Sequence, residues 1–174
     1  MLLFLLIMNK KYFFAMFLLV IFIYGCGPKT PEVTGATVLG NPYHIVVLSD
    51  DSIKRGVELA NPTIGFTVHY GECGSLSSLI REYGAIGLIG SCPDAELTVP
   101  IVSITGSEDI FVPESIMGRQ FEEQYRKKYN EDPTEKSAEA FDAVLRLFLA
   151  IENSDGSSQG VIDSLETVEF TGAH

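Results

Sequence analysis

Positive charge is what this sequence has least of. Twelve Lys and Arg stand against 23 Asp and Glu, a formal net charge of −11 at pH 7. Lys10 and Lys11 lie near the N-terminus, whereas every acidic residue lies beyond Cys26. A domain so poor in cations argues against nucleic acid as a partner, and against attachment to an anionic membrane surface by charge. Metal-ligand spacing is also lacking. Cys73 and Cys92 with His69 have no fourth ligand at a metal-binding interval, so no metal and no cofactor is expected. His44, His69 and His174 read as isolated. The string GLIGS at 87–91 lacks the Lys-Ser/Thr ending of a phosphate loop, and Ser, His and Asp occur with no nucleophile elbow expected. No internal repeat occurs. These absences make enzyme readings weak, and a small α/β hydrolase-like enzyme is the weakest of the readings kept.

A long apolar run occurs before the acidic part of the chain. Asn9-Lys10-Lys11 precedes Tyr12–Tyr24, a stretch short of the ~20 residues of a spanning helix but of signal-peptide length. It ends in Ile23-Tyr24-Gly25-Cys26, which resembles a bacterial lipoprotein cleavage box. There the Cys thiol takes a diacylglycerol and the chain is cut before it. Residues 1–25 therefore read as a signal peptide and Cys26 as a lipid anchor; an uncleaved signal anchor is the alternative. A second apolar run, Met1–Ile7, precedes the lysines, and a start at Met8 gives an ordinary signal peptide. Residues 26–41, with Pro, Thr and Gly, read as a tether. Residues 42–174 read as a single α/β domain, placed at the outer face of the cytoplasmic membrane or in the periplasm.

Strand and helix signals alternate through that domain. His44–Leu48 is a short apolar run of the kind found in buried parallel strands. Ser52–Ala60 reads as a helix, Thr63–Tyr70 as a strand, Leu76–Tyr83 as a helix, and Ala85–Gly90 and Val99–Thr105 as strands. Two amphipathic helices follow. In the first, Phe121, Tyr125 and Tyr129 share one face. In the second, Ala138, Phe141, Val144, Leu145, Phe148 and Leu149 form a wide apolar stripe that must pack on a core. Asp132 is the expected cap of the second helix, with Pro133 in its first turn and Glu135 completing a capping box. Ser154–Gly160 is a polar linker before a short helix at Val161–Glu166. The order implies a doubly wound, mostly parallel sheet of about four strands with C-terminal helices. Cys73 and Cys92 each follow a strand end. In an oxidising compartment they would pair; in a reducing one they would be two buried thiols.

The wording of the helices is more specific than their periodicity. Phe121, Tyr125, Tyr129 and Pro133 recur at four-residue steps. Ala138-x-Ala140-Phe141-Asp142-Ala143-Val144 follows, then an apolar helix closing on Ala150-Ile151-Glu152. This resembles the C-terminal part of type 1 periplasmic solute-binding proteins, in particular the leucine/isoleucine/valine-binding family of ABC importers. RGVELA at 55–60, AIGLIG at 85–90 and VPIVSIT at 99–105 resemble the first helix and the third and fourth strands of that family. Phe170–His174 resembles the point at which the family runs on into a further strand.

The resemblance implies a solute-binding protein for an amino acid, partnered by an ABC permease and held to the membrane through its lipid. It implies a disulfide between Cys73 and Cys92. It places ligand contacts at the strand ends, where Ser91, Ser103, Thr105 and Ser107 would donate to a ligand carboxylate. Three departures stand against it. Pro93 replaces the serine after the loop cysteine. Asp94, Glu108 and Asp109 bring negative charge to a carboxylate site. Only Gly106–Met117 stands where the family places nearly all of its second lobe. The chain therefore reads as about one lobe, and a binding-incompetent remnant or anchored interaction domain is the alternative. Asp142 on a polar helix face is expected to be solvated.

Overall fold

The computed structural model describes residues 43–92 and 97–174; the expected signal peptide, Cys26, the tether, Pro93 and Asp94 lie outside them. Four strands form one sheet: β1 (His44–Leu48), β2 (Thr67–Gly71), β3 (Gly87–Ile89) and β4 (Ile101–Val102). Their order is β2-β1-β3-β4 and every pairing is parallel. The strand β1 is central because Ile45, Val46 and Val47 can be buried on both faces, and all three are fully buried.

The described residues form five α-helices besides the sheet: α1 (Asp51–Ile64), α2 (Leu76–Tyr83), α3 (Ile116–Tyr129), α4 (Glu135–Glu152) and α5 (Ser158–Thr167). The first runs past the expected end at Ala60 and through Pro62. A proline cannot donate to the carbonyl four residues back. That carbonyl, on Glu58, instead accepts from Lys128 Nζ at 3.3 Å. Gly65, at φ 82°, ends α1. Asn61 then holds Phe66 by both its amide and its carbonyl, each at 2.9 Å. The turn consumes the residues read as the start of a strand, so β2 begins at Thr67 and not at Thr63.

The cap of α4 also differs from expectation. Thr134, not Asp132, is its N-cap, and Ser137 completes the capping box. Asp132 pairs with Arg126 Nε at 2.7 Å instead. The preceding helix stops where Asn130 adopts φ 56°. A hydroxyl at each end of the threonine–serine box satisfies two amides, so no carboxylate is needed for the cap.

The core has three parts. Ile45, Val47 and Ile89 meet α1, α4 and α5 on one face of the sheet. Val46 and Leu88 meet Leu76 and Ile80 of α2 on the other. Phe111, Phe121, Tyr125, Ala138 and Ala173 form a third cluster between α3 and α4. Contact between α1 and α4 is close because position 56 is glycine: a Cβ there would lie 2.2 Å from the Ser137 carbonyl oxygen. Between β3 and β4 the described residues contain no helix. No helix among the described residues is long and apolar enough to cross a membrane.

Candidate functional site at the strand C-terminal edge

The chain leaves β1 toward β2 on one side and returns to β3 on the other, so the order reverses between β1 and β3. Sheets of this kind open a crevice beyond the C-terminal strand ends at that point. The loops that reach it begin at Ser49, Glu72, Gly90 and Ser103.

The loops after β2 and β3 are joined covalently. Cys73 and Cys92 are disulfide-bonded, with Cα atoms 5.7 Å apart. They do not follow neighbouring strands, because β1 lies between β2 and β3. The 3₁₀ turn Cys73–Ser75 carries the first thiol to the second across the end of β1.

The four expected donors are drawn to this edge, but not into one empty cleft. Ser91 Oγ donates to the Ile104 carbonyl at 3.2 Å. Thr105 donates through its amide (2.7 Å) and its hydroxyl (3.2 Å) to the Glu139 carboxylate. Ser107 Oγ lies 2.8 Å from Glu135 Oε2 and 2.9 Å from Asp109 Oδ2. Ser103 alone has no hydrogen bond among the described residues, and its side chain lines a cleft of about 260 Å³. The same cleft is lined by Glu139, Asp142 and Arg146 of α4 and by Phe170, Gly172 and His174.

One lysine ties two of the carboxylates at the crevice. Asp50 caps α1 by accepting from Ser52 N at 3.0 Å and Ile53 N at 3.1 Å. Lys136 Nζ lies 3.4 Å from Asp50 and is hydrogen-bonded to Glu108. Ser52 Oγ donates to Glu108 at 2.7 Å. The lysine and this hydroxyl hold the Glu108 carboxyl below its ordinary pKa, and Glu108 holds the ammonium above its own. Glu108 thus serves as a tie between α1 and α4, which its position in a polar loop did not reveal.

Two residues depart from their sequence reading. Asp142 is buried, not solvated, and accepts from Ala173 N at 2.7 Å and His174 N at 2.8 Å. Burial raises its pKa, against the opposing pull of those two bonds. Gly172 permits this approach, since a Cβ there would meet Asp142 Oδ2 at 2.1 Å. His44 and His69 are not isolated. Their ring nitrogens lie 2.9 Å apart, and His69 stacks on Tyr83 with centroids 3.7 Å apart. This stack starts at the first residue of β1, away from the crevice.

Among the described residues no group of three His, Cys, Asp or Glu could hold a metal ion. Contrary to expectation, Gly156-Ser157-Ser158-Gln159-Gly160 does match a nucleophile elbow in its letters. It links α4 to α5, with no strand feeding it, and Ser157 is the N-cap of α5.

No protein-family profile and no curated protein matches this chain by sequence. Solved structures do match it in shape. One is a leucine-binding protein LivK from Thermotoga maritima, at 17% identity and a TM-score of 0.34 over 75% of this chain and 51% of that one. Another is an ABC transporter substrate-binding protein from Desulfitobacterium hafniense in complex with Leu, at 21% identity, a TM-score of 0.33 and the same coverage. A third is the branched-chain amino acid transporter substrate-binding protein LivJ from Streptococcus pneumoniae in complex with isoleucine, at 18% identity, a TM-score of 0.33, and 75% and 50% coverage. The chain spans about half the length of the solved structures it matches. The α/β class rests on the parallel sheet itself.

Proposed function

We propose that this chain is a solute-binding lobe for amino acids of the branched-chain type, serving an ABC importer from outside the cytoplasmic membrane. In this reading Cys26 carries the lipid, the permease is the protein partner, and Ser91, Ser103, Thr105 and Ser107 supply ligand contacts. No bond is made or broken in the ligand. The observation that carries the reading is the reversal of strand order between β1 and β3, with hydroxyl-bearing loops gathered at that edge and two of the loops stapled by Cys73–Cys92.

A second reading is favoured by one observation: three of the four hydroxyls already have partners within the chain. A closed edge suits an anchored interaction domain that binds no solute. Affinity separates the two. A single wall leaves a ligand partly solvated, and two or three hydrogen bonds at roughly 1 kcal/mol each do not offset an association cost of at least about 4 kcal/mol. Monomeric protein is therefore expected to bind leucine, isoleucine or valine at about millimolar strength or weaker. Calorimetry on protein of known oligomeric state tests this. Saturable heat supports the solute-binding lobe; its absence up to roughly 100 mM ligand would give the site to the second reading. Labelling with a palmitate analogue tests the anchor. Wild type should be marked and Cys26→Ser should not.

A further inference from the structure

Two backbone amides and one hydroxyl of the loop after β4 converge on a single carboxylate. Thr105 N and Gly106 N both donate to Glu139 Oε2, and Thr105 Oγ1 donates to Oε1 at 3.2 Å. Both carboxylate oxygens are thus held by charge-assisted bonds, the strongest kind available to neutral donors. Gly106 makes the approach possible, because a Cβ there would lie 2.9 Å from Lys136 N and 3.0 Å from Glu139 Oε2. The loop therefore lies flat on α4 and presents a cradle shaped for one carboxylate.

Glu139, the carboxylate in the cradle, lines the cleft described above, as do Arg146 and Ser103. The Ser103 hydroxyl has no hydrogen bond among the described residues, and the charge of Arg146 bears on Asp142. The second acid of the wall, Asp142, already accepts from two amides. A cation and an unpaired hydroxyl thus line the same cleft as the carboxylate that fills the cradle from within.

We propose that Glu139 is an internal plug of the Thr105–Gly106 cradle, and that the carboxylate of a small organic acid or amino acid takes its place when the plug is withdrawn. Arg146 and Ser103 are then the added contacts for the incoming ligand. The inference rests on the reading that this edge holds solute, and it names how the edge is closed. A tethered carboxylate acts at an effective concentration of about millimolar or more, so free carboxylates below that level lose the competition in the wild-type chain.

The test is an acetate titration of the isotope-labelled full chain in detergent, read at the backbone amides of Thr105 and Gly106. Sodium chloride at equal ionic strength is the control. In Glu139→Ala both amides should shift saturably with acetate, at an apparent affinity at least about tenfold tighter than in wild type, while chloride leaves them in place. Should the alanine variant fail to fold, Glu139→Gln keeps the shape, removes the charge and should gain part of the effect. Equal acetate response in wild type and variant overturns the plug, as does a response that chloride reproduces. A parallel titration with leucine separates this from the solute-binding reading. Wild type that binds leucine with the Thr105 and Gly106 amides unmoved keeps that reading and overturns the plug. A Glu139→Ala chain that takes acetate but no amino acid keeps the plug and overturns that reading.

Discussion

Among the described residues, three helices cover one face of the sheet and one covers the other. On the thick face α1, α4 and α5 bury Val57, Val144 and Leu147 completely against Ile45, Val47 and Ile89. On the thin face α2 supplies Leu76 and Ile80, and the loop before β4 supplies Val99. The crossover from β3 to β4 is the cause, since its described residues form no helix that could lie beside α2. The disulfide sits on the thin side, with Cys92 packed against that smaller cluster. Where apolar burial falls short, a covalent link limits the freedom of the unfolded chain.

The largest effect should come from prising open the thick face. Gly56→Val pushes a branched side chain toward the Ser137 carbonyl and the Ala140 methyl. We expect a loss of at least about 3 kcal/mol, read as a fall in the denaturation midpoint. A midpoint within error of wild type would show that α1 and α4 slide freely, contrary to the contact described.

Cutting the staple should cost roughly 3 kcal/mol, the loop-entropy value for a bridge of this span. The comparison predicts where the loss is felt. In Cys73→Ser with Cys92→Ser, hydrogen exchange in α2 should speed up more than exchange in α1. Uniform acceleration would mean that the two faces unfold as one.

Next comes the tie between the thick face and the last residues. Asp142→Asn leaves one oxygen to accept where a carboxylate held two amides, and about 2 kcal/mol should be lost. Burial raises this carboxyl's pKa while the amide bonds pull it down. A carboxyl whose folded pKa is raised binds its proton more readily in the folded state. The net shift therefore makes the folded protein relatively more stable toward acid at this one residue, and Asp142→Asn should remove that contribution. A steeper acid loss in wild type than in the variant would contradict the direction.

The smallest effect belongs to the histidine stack beside the thin face. His69 has its pKa lowered from 6.5, first by burial and then by the charge of His44, with Glu82 opposing. The folded state therefore binds fewer protons than the unfolded one just below 6.5. The contribution is fully present above the unfolded value and is lost as pH falls through the folded one. Tyr83 and Glu82 of α2 face the same rings. His69→Phe should flatten stability against pH across this window; an unchanged slope would place the titration elsewhere.

Much of the fold was legible because local signals agreed with burial. The bounds of β1 and α2 match their expected residues. Apolar periodicity marks these elements, and a glycine in the left-handed region at Gly84 ends α2. The errors lie where a distant partner overrides the local rule. Pro62 stays within α1 because Lys128 takes the carbonyl that proline leaves. Asp142 reads as a surface acid until the backbone around Ala173 is folded onto it. The site follows the same pattern. Hydroxyls at strand ends announce themselves, whereas the carboxylate that binds Thr105 comes from a residue 34 positions away.

The disulfide also has a consequence for the order of events in folding. Cys73 and Cys92 lie in the loops after β2 and β3, strands that flank β1 and are not paired with each other. If the thiols joined first, β2 and β3 would be held side by side, free to pair in a sheet with no slot for β1. The productive sequence inserts β1 early and closes the bond over its end. Oxidation that runs ahead of collapse is therefore the natural route to a misfolded chain.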